Sequence, residues 1–204
     1  MKKVKFIVFI CLFILLPLAY FNGFIRISDL TSEQESIAKK YGGVYVFDEK
    51  LEKEIDKREE ERDKYLDDFF KNNNRDFDLN DQTIMNEKLP RVLSNGKKYY
   101  SRRDNIKIDN YKILNNYEEK LKEFMGKDYD KYENYLSINL GYFYIDNDTI
   151  IPISIGVSTL YTEVTFGLYG DEASGIKFTK ESTQRLIGDN KFYLSNNKFQ
   201  KINK

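Results

Sequence analysis

Three rhythms of apolar and polar positions follow one another along the chain. The first is an unbroken apolar run from Phe6 to Phe21, preceded by Lys2, Lys3 and Lys5, with no charge until Arg26. At about 1.5 Å per residue the uncharged stretch covers roughly 30 Å, the thickness of a bilayer's hydrocarbon core. It lacks the polar stripe that a helix on a soluble core would carry. The pattern predicts a transmembrane helix over residues 6–25, either a signal anchor or a signal peptide. A peptidase site needs two small residues two positions apart, and here Ala19 and Gly23 each pair with the bulky Phe21. Retention as an anchor is therefore the favoured expectation. Cys11 follows too few apolar residues for a lipid-modified site, and Pro17 and Tyr20 suit an interface.

The second rhythm is helical. Leu30 to Lys40 predicts a short polar helix capped by Thr31 or Ser32, and Tyr41-Gly42-Gly43 ends it. Val44 to Phe47 reads as a brief strand. Asp48 then caps a long charged helix to about Lys71, with a thin stripe at Leu51, Ile55, Tyr65, Leu66, Phe69 and Phe70. Positions 58–62, Arg-Glu-Glu-Glu-Arg, are expected to face water on every side, with Glu54-Arg58 as a supporting pair. Asn72 to Gln82 reads as a polar loop. Asn95-Gly96 predicts a type I′ hairpin turn. From about Asn110 a second helix carries Ile113, Leu114, Tyr117, Leu121, Phe124 and Met125 and stops at Gly126.

The third rhythm is alternation. Strands are expected at Leu136–Leu140, Gly141–Ile145, Ile150–Val157 and Leu160–Tyr169, with a turn at Asp146–Thr149. Gly170 to Gly175 is a loop before Ile176–Phe178, Lys180 to Ile187 predicts a short helix, and Asn196-Asn197 turns a terminal hairpin. Together these predict an α+β fold: an N-terminal transmembrane helix, then one domain with helices in its first half and a mostly antiparallel sheet in its second. Residues 1–5 would be cytoplasmic, 26–40 juxtamembrane, and 41–204 an extracytoplasmic domain, because lysines crowd the N-terminal flank.

Charge sharpens this division. The chain is neutral, with 33 basic and 33 acidic residues, but residues 1–26 hold four of the basic ones and none of the acidic ones. Residues 27–204 therefore carry a net charge of −4, which gives no electrostatic reason to bind nucleic acid. The chain has no histidine and no tryptophan, and no cysteine beyond Cys11. Imidazole-based catalysis, imidazole ligation and thiolate metal sites are excluded. Any chemistry must use carboxylates, Lys, Tyr, Ser or an oxygen-ligated metal.

Three constellations carry candidate roles. Asp76, Asp78, Asn80 and Glu87 match the oxygen-ligand spacing of a calcium loop, although Asp81 stands where that loop turns on glycine. Asp171 and Glu172, with Glu163 on the preceding strand, are acids of the type that hydrolyse glycosidic bonds. Tyr129, Tyr132 and Tyr135 at helical spacing, with Tyr142 and Tyr144 on one strand face, offer an aromatic partner-binding surface. No cofactor is implied. The favoured expectation is a single-pass anchored protein, held in the bilayer by residues 6–25, whose outer domain binds a protein partner or an envelope component without catalysis. The alternatives are a carboxylate-dependent hydrolase of an envelope polysaccharide, and a soluble secreted protein if the N-terminal segment is cleaved.

Overall fold

The computed structural model describes residues 2–15, 22–104, 106–108, 111–114, 116–170, 175 and 177–202. The architecture is α+β, with helices concentrated early and sheets later. Helix α1 (Lys2–Ile10) passes into a π-helical turn over Cys11–Leu15. Residues 16–21 of the expected span lie outside the described residues. Among the described residues no helix is long and apolar enough to cross a membrane. At its far end the expected span is corrected: Asn22–Ser28 is strand β1, paired antiparallel with strand β8 (Ser154–Tyr169). Ile25 and Ile27 alternate with Arg26 and Ser28, a period of two that suits a strand once a partner exists.

The larger sheet is organised around β8, which is sixteen residues long. The first part of β8 lies between β2 (Gly43–Val46) and β5 (Leu136–Leu140). Its remainder lies between β1 and β9 (Lys177–Ile187). Beyond β2 the sheet continues into β10 (Asn190–Ser195) and β11 (Lys198–Lys201). A four-stranded sheet contains β3 (Tyr99–Ser101), β6 (Tyr142–Asp146), β7 (Thr149–Pro152) and β4 (Lys112–Ile113). Two strands turn the corner between the sheets side by side, β5 into β6 at Gly141 and β7 into β8 at Ile153. At that corner Gly141 N donates to Ser154 O at 2.9 Å, and a Cβ on Gly141 would lie 2.5 Å from Ser154 Oγ.

Helix α2 (Ser32–Tyr41) is capped by Thr31, one of the two expected caps, and the box closes through Gln34 and not a glutamate: Thr31 Oγ1 accepts from Gln34 N, and the Gln34 side chain accepts from Thr31 N. Asp48 caps α3 (Glu49–Asn72) by accepting from Leu51 N at 2.9 Å. Helix α5 (Asn116–Met125) stops at Gly126, whose φ of 58° suits glycine. Its residues Leu121 and Met125 pack with Tyr129 and Tyr132 of α6 (Lys127–Tyr132) against Tyr45, Ile155, Val157 and Phe192 of the large sheet. A second cluster joins Leu51 and Ile55 of α3 to Leu93, Tyr99 and Ile153.

Several expectations are corrected. The stretch 180–187 is part of β9, not a helix, because β8 offers it a long antiparallel partner. Ile113 is in β4, bridged to Ile150, so the second helix starts later than its stripe suggests. At Asn95-Gly96 only Gly96 has positive φ, whereas both central residues do at Asn147-Asp148 and Asn196-Asn197, as a type I′ turn requires. Arg62, placed among the water-facing residues, is only 5% exposed.

The polar stretch 72–82 also hides the start of helix α4 (Leu79–Lys88). Asp78 caps it, accepting from Asn80 N and Asp81 N, and Asp81 accepts in return from Asp78 N. The Arg75 guanidinium grips both Asp81 oxygens at 2.5 and 2.8 Å, which lowers the carboxyl from its ordinary 3.8 to about 2. A lowered folded-state pKa stabilises above the unfolded value and loses that contribution as the pH falls through the folded one. The start of α4 is thus expected to loosen between about pH 4 and pH 2, ahead of the sheet core. Site-resolved hydrogen exchange at Asn80–Ile84 would check this. Unchanged protection there at pH 2.5, or further loosening of the Asp81→Asn variant between pH 7 and pH 2.5, would contradict it.

Candidate functional site

The corner between the sheets opens a cleft of about 640 Å³. Its floor is the sheet face opposite the Tyr45 core. Ile155 and Val157 of β8 point to that core, so Ser154, Gly156 and Ser158 point to the cleft by strand alternation. Val44 of β2, 41% exposed, pairs with Gly156 on one side, and Asn139 of β5 on the other. A Cβ placed on Gly156 would meet nothing within 4 Å, so the floor is open there. The walls are α3 with Glu52 and Glu59, the Ser101–Asp104 turn after β3, Arg91, Tyr142, Arg185 of β9 and Lys191 of β10.

The charged groups in this cleft fall into two sets. In the first, each acid is already engaged. Lys191 Nζ lies 2.5 Å from Glu52 Oε1, and Tyr193 Oη donates to Glu52 at 3.3 Å. Burial opposes the Lys191 charge, but Glu52 and Tyr193 together outweigh it and raise the ammonium above its ordinary range. Arg91 bridges Asp104 at 2.8 Å and Glu59 at 3.1 Å. Tyr99 Oη donates to Glu59 at 2.6 Å; burial first, and then that carboxylate, raise its phenol well above the ordinary range. Buried Arg62 lies 4.0 Å from Glu59 and donates to Leu89 O and Asn86 Oδ1, with burial lowering its pKa. In the second set are Arg102, Arg103 and Arg185, exposed and without a carboxylate partner among the described residues. A smaller cavity of about 210 Å³ lies between Leu51, Tyr117, Tyr144 and Leu194.

The tyrosines expected to form one binding surface are divided. Tyr129 and Tyr132 are buried in the main core, and only Tyr135, 45% exposed, faces outward. Tyr142 and Tyr144 pack against the second cluster, with Tyr142 on the cleft wall. The calcium-loop residues are also separated. Asp78 is a helix cap, Asn80 is in the first turn of α4, and Glu87 is roughly 10 Å beyond Asn80 along its axis at about 1.5 Å per residue. Among the described residues no group of three or more His, Cys, Asp or Glu stands where it could hold a metal. Asp171 and Glu172 lie outside the described residues, while Glu163 faces Arg26 across β8 and β1 at 3.7 Å.

Sequence reasoning passed over the cleft residues. The tandem Arg102-Arg103 just after a strand was the one local signal. Arg185 was hidden by the helix expected over its strand. Glu52, Glu59 and Lys191 come together only through the packing of α3 on the sheet. No protein-family model, curated protein or solved structure matches the chain.

Proposed function

We propose that the chain is a non-catalytic binding domain, held at a membrane by its apolar N-terminal segment, with the cleft as its recognition surface. One observation carries this reading: each described acid lining the cleft is engaged by a cation, while three arginines beside them are not. A cleft so arranged suits holding a ligand, and among the described residues it lacks the pair of free carboxylates that glycoside hydrolysis requires. Its volume falls within the range of small-molecule sites, about 300–1,000 Å³. The tether and its orientation rest on the lysine-flanked apolar run, which supports an extracytoplasmic position for 41–204. A protein partner or an envelope component then meets the domain outside the cytoplasm.

A photo-crosslinking residue at Val44, in the cleft, compared with one at Lys57 on α3, tests the recognition surface in the intact membrane. The expected result is an adduct at Val44 that is absent at Lys57; equal labelling at both would remove the cleft as the site. Protease treatment of oriented vesicles tests the topology. A mature chain starting near Asn22 or Phe24 would replace the tether with secretion. Loss of polysaccharide cleavage in Asp171→Asn or Glu172→Gln would reverse the choice in favour of a hydrolase.

A further inference from the structure

We propose that the cleft binds a phosphate monoester, held by Arg102, Arg103 and Arg185; this rests on the cleft being the recognition surface. The first support is charge. Residues 27–204 are net acidic, yet five cationic and three anionic side chains line this cleft, leaving an excess of two positive charges. A phosphate monoester carries about −1.5 to −2 at pH 7, so one group matches that excess. A single carboxylate leaves half of it unmet.

The second support is the division of labour among the cations. Arg91 and Lys191 are fixed by Glu59, Asp104 and Glu52. The other three guanidiniums are available to a ligand, and their planar forks match phosphate oxygens. Two of them come from a pinned turn. Asp104 accepts from Ser101 N at 2.6 Å and from Ser101 Oγ at 3.1 Å, and Asp104 N donates to Ser101 O at 3.0 Å. Arg91 holds the same Asp104, so the turn carrying Arg102 and Arg103 is braced against α3 through Glu59. Arg185 lines the same cleft from a different element, β9, at the register position of Leu160.

The third support is an open floor. Gly156 leaves room over the sheet, with Asn139 and Ser158 as neutral polar neighbours for the esterified part of the ligand.

Calorimetric titration of the full chain in uncharged detergent, with phenyl phosphate as probe and phthalate as a dianionic carboxylate of similar size, tests this. Phenyl phosphate is expected to bind saturably and about tenfold tighter than phthalate, and to weaken with added salt. Its affinity should also fall below about pH 6, where the monoester loses its second charge. Arg185→Gln and the Arg102→Gln/Arg103→Gln pair should each weaken it about tenfold with unchanged thermal melting, since all three side chains are exposed. Gly156→Leu, which fills the floor and keeps every arginine, should abolish binding. Equal affinity for the two probes, no saturation by phenyl phosphate, or full affinity in Arg185→Gln or Gly156→Leu would overturn the proposal. If the Val44 adduct still forms in that event, the recognition surface stands and only the ligand class is lost.

Discussion

Tyr45→Ala is expected to destabilise the domain by about 3–5 kcal/mol, the range for deleting a large buried aromatic side chain. Tyr45 is 0% exposed and sits at the centre of the main core. Its ring stacks on Phe192 with centroids 4.5 Å apart and meets Phe199 edge-on at 4.9 Å and Phe124 at 5.9 Å. These partners come from β10, β11 and α5, so the ring joins both sides of the sheet–helix interface. Its hydroxyl donates to Tyr41 O at 2.6 Å, tying β2 back to the last residue of α2. Burial raises that phenol far above its ordinary range, consistent with a proton that stays on the oxygen. Tyr45→Phe keeps the rings and removes the donor, and is expected to cost about 1–2 kcal/mol. Denaturant unfolding of the two variants would check both figures. Equal losses would mean that the hydroxyl, not the packing, dominates.

The second large effect is expected from Glu59→Ala, at about 2–3 kcal/mol, because it removes charged hydrogen bonds to the partly buried Arg91 and Tyr99 and leaves the buried Arg62 one counter-charge short. Glu59 serves Arg91, Arg62 and Tyr99 together. Arg62 would keep Leu89 O and Asn86, and Arg91 would keep Asp104, which is why the loss stays below the upper limit for an isolated charge. Glu59→Gln retains an acceptor for Tyr99 and is expected to cost less than half as much. The Ser101–Asp104 turn is braced through the same residue, so the alanine variant should also loosen that turn. Amide exchange at Ser101 and Asp104, whose N–H groups hold the turn, is the direct readout; protection equal to the parent would separate the charge network from the turn.

Elements governed by local chemistry are readable from the sequence, and those set by distant partners are not. Thr31 and Gln34 close their capping box within four residues, Asp48 caps its helix, and Gly126 stops another, so these boundaries follow from neighbouring residues alone. Asn196-Asn197 likewise turns a hairpin through its own preference for positive φ. The β9 segment behaves oppositely. Lys180 to Ile187 has acceptable helical character, and its strand state depends on β8 being alongside. Arg62 looks solvated among its charged neighbours and is buried only because α4 and the segment at Leu89 fold over it. The cleft depends on such long-range terms throughout: Glu52 and Lys191 are 139 positions apart in sequence and 2.5 Å apart in space.

The outer part of β8, with β1 and β9, also has a mechanical consequence. The chain enters β1 at Asn22, opposite Gly167, and reaches the body of the sheet only near Ser28. From Ser158 to Gly167 the strand extends roughly 30 Å at about 3.3 Å per residue. A pull on the N-terminal segment therefore acts at the outer tip of this lever, tens of ångströms from the cleft. The β1–β8 hydrogen bonds at that tip take the load first, ahead of the core around Tyr45. The arm thereby acts as both a spacer and a strain relief, so the cleft can keep its shape under a load on that segment.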